Sequence, residues 1–98
     1  MKLAKFVKAP VERKRYQIDY SDWLDTGELV QSIVFTVSPS TGTQPLVIDA
    51  YLIGTPATSV AFFANLGDDG VTYTVNVVMT TDGGQTKEDQ ILFSVRDA

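Results

Sequence analysis

Apolar and polar positions alternate along most of this chain, with a period of two. The clearest stretch is NLGDDGVTYTVNVVMTTDGGQTKEDQILFSV, residues 65–95. Two turn clusters, Gly67-Asp68-Asp69-Gly70 and Asp82-Gly83-Gly84, punctuate it. Val71–Thr81 carries Tyr73, Val75, Val77 and Met79 on one side, and Gln85–Arg96 answers with Ile91, Phe93 and Val95. Successive side chains of a strand point to opposite faces, so each ladder predicts a half-buried strand. The glycines between them predict a tight hairpin, because glycine accepts positive φ without a steric cost.

The same pattern extends upstream. Arg13–Tyr20 predicts a strand in which Tyr16, Ile18 and Tyr20 alternate with Arg15, Gln17 and Asp19. Glu28–Ser38 predicts the next, with Ile33, Phe35 and Val37 on one face. Residues 39–45 form a loop by composition, and Gly54-Thr55-Pro56 separates strands at Leu46–Ile53 and Thr58–Ala64. Leu46–Ile53 is apolar on both faces except for Asp49, and Phe62 and Phe63 point opposite ways. A strand with one wet face alternates cleanly, so this region predicts a surface that meets a partner.

No segment holds helical periodicity over three turns, and there is no internal repeat. Short strands at this spacing predict an all-β, antiparallel, Ig-like (fibronectin-type-III-like) β-sandwich of six to seven strands. The expected core is Tyr16, Ile18, Trp23, Ile33, Phe35, Val37, Phe62, Tyr73, Val75, Val77, Ile91, Phe93 and Val95. Tyr73 opens a long strand three residues after Gly70, the position from which a tyrosine corner reaches back to the preceding loop. Residues 1–12 show no clean period ahead of Pro10. They are assigned to a flexible basic N-terminal arm, and residues 13–98 to the sandwich.

Charge sharpens that division. Six of the eight basic residues, Lys2, Lys5, Lys8, Arg13, Lys14 and Arg15, fall in the first fifteen positions, while eleven of the twelve acids follow them. A basic segment on an acidic body predicts docking onto an acidic surface or a neighbouring copy. Lys2, Lys5, Lys8, Arg13, Tyr51 and Phe63 are therefore the candidate partner-binding residues.

Catalytic chemistry is sparsely represented. The 98 residues contain neither cysteine nor histidine, which removes thiolate zinc sites, cysteine nucleophiles and any Ser-His-Asp arrangement. Asp68, Asp69 and Asp82 lie in glycine-rich turns, where aspartate serves backbone hydrogen bonds, and three acids fall short of a calcium shell. Asp82-Gly83-Gly84 lacks the following helix and the Lys-Ser/Thr pair of a phosphate cradle. Glu88 and Asp89 point to opposite faces of a strand and make a poor acid/base pair. Trp23 reads as a core plug, with an exposed sugar platform as the sharper alternative. No catalytic residue, metal or cofactor is expected, nor a small-molecule substrate or a specific nucleic acid. The basic start lacks the apolar stretch of a secretory signal, and no apolar run is long enough to span a membrane.

YQIDYSDWLDTGE, residues 16–28, resembles the opening of small tailed-phage virion proteins of the fiber–tail adaptor and tail-connector type. The matching positions are Tyr16, Asp19, Tyr20, Trp23, Leu24, Gly27 and Glu28, with Tyr20 where tryptophan is usual. The leader KFVKAP and the strand pair from Gly70 to Val95 are also similar to that family. The resemblance implies an Ig-like domain acting as a structural part of a phage or prophage particle. It would be made in the bacterial cytoplasm, assembled in multiple copies at the tail or head–tail junction, and partnered by other virion proteins and by itself. The competing expectation is an Ig-like module that recognises a cell-surface carbohydrate or protein. A small hydrolase ranks last on the missing acid/base inventory.

Overall fold

Seven strands follow one another along the chain: β1 Lys2–Lys8, β2 Lys14–Asp19, β3 Val30–Ser38, β4 Val47–Ile53, β5 Ser59–Asn65, β6 Thr72–Thr81 and β7 Thr86–Val95. The computed structural model describes the backbone of residues 2–97 and the side chains of residues 4–97. The strands form two sheets, one ordered β1-β7-β6-β3 and the other β2-β5-β4. This is an Ig-like sandwich in which the first strand lies beside the last one, rather than beside the second. The six strands expected from residue 13 onward are present within two residues of their expected bounds.

The expectation of an arm outside the sheets is corrected. β1 pairs with β7 from Lys2↔Gln90 to Lys8↔Val95, and the pairing is parallel where only antiparallel pairs were expected. Ala4, Phe6 and Lys8 keep the period of two, but a lysine at the inward end disguises it. Phe6 anchors the strand: its ring lies 4.6 Å from Tyr16 and 5.5 Å from Phe93. Lys8 is buried, and its ammonium donates to the carbonyls of Ala9, at 2.7 Å, and Leu66. Burial lowers the Lys8 pKa, opposed by the negative charge of Glu12.

The core lies where the inward faces meet. Tyr73, Val75, Val77 and Met79 of β6 and Ile91, Phe93 and Val95 of β7 pack against Tyr16, Ile18, Val60, Phe62 and Ala64 of the smaller sheet. Ile33 of β3 joins them, and Tyr20, Val30 and Leu46 complete the core just outside the strands or at their ends. Aromatic rings run across the whole sandwich: Tyr16 meets Phe62 and Phe93, Phe62 meets Phe35, and Phe35 meets Tyr51 at 5.7 Å. Phe35 and Val37 are only half-buried because β3 and β4 are edge strands whose lateral opening leaves a groove of about 450 Å³.

Trp23 leaves the expected core. Trp23 and Leu24 both donate their backbone N–H to the Tyr20 carbonyl, forming a tight turn. That turn packs Leu24 on the core and leaves Trp23 36% exposed, with the Lys87 ammonium 5.8 Å from its ring.

The two-sided apolarity of β4 has a local cause. The register against β5 shifts between Asp49 and Tyr51, and Ala50 has φ of 60°. This bulge inserts one residue, so alternation restarts out of phase. Ile48, Tyr51 and Ile53 pair with buried Ala64, Phe62 and Val60, whereas Val47, Asp49 and Leu52 lie on the outer face. Unbroken alternation would put Ile48 and Leu52 on one face, and the bulge at Ala50 separates them.

Phe93 is fully buried, and Phe35 is not. Phe93→Ala should cost about 3–5 kcal/mol, the range for a buried phenylalanine, and Phe35→Ala distinctly less. Equilibrium denaturant unfolding of both variants measures the difference.

Candidate functional site

The loops segregate to two ends of a body measuring 43 × 20 × 18 Å. At one end sit the β2–β3, β4–β5 and β6–β7 connections, tied by backbone bonds from Tyr20 to Thr58, Val30 to Ala57 and Asp82 to Leu29. Asp82 returns the favour by accepting from the Leu29 N–H at 3.0 Å. Gly84 closes the hairpin at φ of 87°, and Gln85 reaches from it to Asp25 and Glu28. The Thr81 hydroxyl donates to Glu28 at 2.7 Å, and this bond leads the causes that hold the Glu28 carboxyl below its ordinary range.

Beneath this end lies a small polar group. Asp89 is buried and accepts from the Lys87 ammonium at 2.8 Å, while Glu88 is exposed, so the two acids part as their register requires. The other Asp89 oxygen and the buried Tyr20 hydroxyl have no protein partner. Burial, aided by the Asp89 charge, pushes the Tyr20 hydroxyl pKa up. Among the described residues, no three potential ligand side chains gather to hold a metal ion.

The opposite end is organised by Tyr73. Its hydroxyl accepts the Asp68 N–H at 2.9 Å, five residues upstream, which is the tyrosine corner expected from its position. Asp68 in turn accepts from the Gln44 N–H at 3.1 Å and so holds the β3–β4 loop. Gly67, at φ of 111°, lies so close to Val95 that a Cβ there would come within 2.6 Å of its side chain. Asp68 and Asp69 thus serve the turns, Asp69 by accepting from the Asp97 N–H.

The outer face of β2-β5-β4 carries a mixed cationic and apolar group. The Arg13 guanidinium stacks 3.9 Å from the Phe63 ring centre and bonds Asp49 at 2.8 Å. Arg15 pairs across with Phe63, and Leu52, 72% exposed, pairs with Ala61. Of the six candidate partner-binding residues, Arg13 and Phe63 are brought together on this face. Tyr51 stands 53% exposed at the neighbouring edge, where it caps the aromatic row. Lys5 is exposed on β1, away from that group. Lys8 is corrected from a surface cation to a buried one, and the Lys2 side chain lies outside the described residues. Arg15 and Leu52 also belong to the patch; the sequence reading places them in its basic segment and its Leu46–Ile53 surface without singling them out. The charge run contained Arg15, and only the bulge at Ala50 places Leu52 outward.

A family model described as Podophage GP4 fiber-tail adaptor protein gp77 matches residues 8–94, from the end of β1 almost to the end of β7. The chain belongs to this podophage fiber–tail adaptor family. That membership makes it a structural protein of a phage tail, with the virion as its place and other virion proteins as its contacts. No curated protein matches the chain. Its fold is similar to part of the Photobacterium sp. JT-ISH-224 2,6-sialyltransferase, solved in ternary complex with CMP and lactose, at a TM-score of 0.54 and 9% identity. The match covers 99% of this chain and 18% of that one, and it shows the fold alone.

Two predictions follow from the loop ends of this adaptor-family domain. Tyr73→Phe should cost about 1–2 kcal/mol, because the Asp68 N–H loses its partner. Thermal unfolding would show a lower Tm with an unchanged fold. Glu28 contributes stability above its ordinary pKa of 4.5, and that contribution drains away as pH falls through its lower folded value. Melting curves of Glu28→Gln should therefore start lower at neutral pH and fall less between about pH 5 and pH 3.

Proposed function

We propose that the domain is a non-enzymatic building block of the phage tail, present in several copies. It joins other virion proteins and further copies of itself through the outer face of β2-β5-β4 and the edge beside it. The observation that carries this reading is the outer-face group of Leu52 and Phe63 beside Arg13 and Arg15, with Tyr51 exposed at the adjoining edge, on a chain of the fiber–tail adaptor family. Contiguous exposed apolar groups mark partner surfaces, and arginine beside aromatics is the composition that interfaces favour. The free protein would fold in the bacterial cytoplasm and bury this face on joining the particle. No cofactor, nucleic acid, membrane or small-molecule substrate has a role in this reading.

The competing reading is an Ig-like module for a cell-surface carbohydrate or protein. Its support is the exposed Trp23 ring at the loop end that variable Ig domains use for binding. Such a module would depend on Trp23 and tolerate changes on the β2-β5-β4 face.

Leu52→Glu and Phe63→Glu should leave the isolated domain folded by circular dichroism and abolish its incorporation into tails in an infection complementation assay. Leu52 is so exposed that its substitution tests the surface without disturbing the core. Normal incorporation of both folded variants would overturn the surface assignment.

A further inference from the structure

The β2-β5-β4 face holds a shaped site as well as a flat patch. A pocket of about 280 Å³ is lined by Arg15, Ala50, Tyr51, Leu52, Ala61 and Phe63. The Ala50 bulge places Leu52 on the outer face with Ala61, Arg15 and Phe63, and Tyr51 borders the pocket from the strand edge. This volume lies below the ~300–1,000 Å³ usual for small-molecule sites, so it suits a single inserted side chain. Its lining is apolar except for Arg15. Arg13 is already paired with Asp49, whereas Arg15, exposed, has no ion pair among the described residues.

One segment of the same chain has the complementary chemistry. Ser21-Asp22-Trp23-Leu24-Asp25 protrudes at the end formed by the β2–β3 loop. Its tight turn presents Trp23 outward between Asp22 and Asp25. Asp22 is exposed and without an ion pair among the described residues, whereas the Lys87 ammonium 5.8 Å from the Trp23 ring is already paired with buried Asp89. An apolar ring beside an unpaired carboxylate fits an apolar pocket beside an unpaired guanidinium. Tryptophan and arginine are also the residues that most often anchor interfaces.

We propose that the occupant of the pocket is the Trp23 loop of a second copy of this chain, with Asp22 of that copy facing Arg15. The loop lies at an end and the pocket on a face, so the surfaces that meet are two different patches of the chain. The contact is heterologous: each copy offers one loop and one pocket, and repetition builds a ring or an open row. This inference rests on the tail building-block reading and supplies the contact by which copies would join.

The test uses the full chain in analytical ultracentrifugation over a concentration series, at low and high salt. The unsubstituted protein should self-associate, more weakly at high salt because the Asp22–Arg15 pair is exposed. Arg15→Asp and Trp23→Ala should each weaken association at least tenfold while circular dichroism stays unchanged. Mixing these two variants should give a dimer that grows no further, since the first keeps an intact loop and the second an intact pocket. Asp22→Arg combined with Arg15→Asp in one chain should recover association. A protein that stays monomeric at every concentration, or associates without regard to either substitution, would overturn the proposal. Incorporation of each variant into tails, scored separately, tells this failure from failure of the tail reading. Lost incorporation by a monomeric protein would assign the pocket to a different virion protein, whereas an unsubstituted protein absent from tails would remove the tail reading itself.

Discussion

The row of aromatic rings between the two sheets is the interaction on which the rest of the molecule depends. A chain this short buries only about 60–70% of the surface it exposes when unfolded, and without cysteine it has no disulfide to supplement that burial. Phe93, Tyr16 and Phe62 therefore carry a large share of the inter-sheet contact, each burying more apolar area than an aliphatic side chain would. The row extends to both edges of the sandwich. At one edge Phe6 uses it to hold β1, and at the other it ends in Phe35 and Tyr51, which remain partly open to solvent. The core thus runs directly into the surface.

The loop ends are committed to internal bonds: Tyr73 and Asp68 at one, Glu28, Thr81, Asp82 and Gln85 at the other. These bonds fix the loops and draw most turn acids into structural service. The outer face of the smaller sheet, the one proposed for partners, is shaped by the Ala50 bulge and the Arg13–Phe63 stack. A rigid face of this kind suits a part whose task is to hold position in a particle.

The strands from residue 13 onward were legible because each keeps a period of two between clear turn residues. Tyr73 was legible because its distance from Gly70 is set by the geometry of the corner itself. Three features were hidden for physical reasons. In β1, the inward position at Lys8 is filled by a long cation whose ammonium reaches backbone carbonyls, so a buried residue reads as a surface one. In β4, Ala50 adopts the positive φ that a sequence signals only through glycine or asparagine, and the bulge then inverts every face after it. At Trp23, one turn around the Tyr20 carbonyl decides whether Trp23 or Leu24 points inward, and both are apolar. For the candidate surface, Arg13 and Phe63 were each chosen separately, for charge and for apolarity. Their stacking is a tertiary contact that no spacing encodes.

The central claim is that this domain serves the phage tail through the outer face of β2-β5-β4. Cryo-electron microscopy of the intact tail tests it most directly. The account predicts several copies at the tail, with Leu52, Phe63 and Arg15 buried against neighbouring protein. A tail in which the domain is present but that face lies open to solvent, or a particle without the domain, would contradict it.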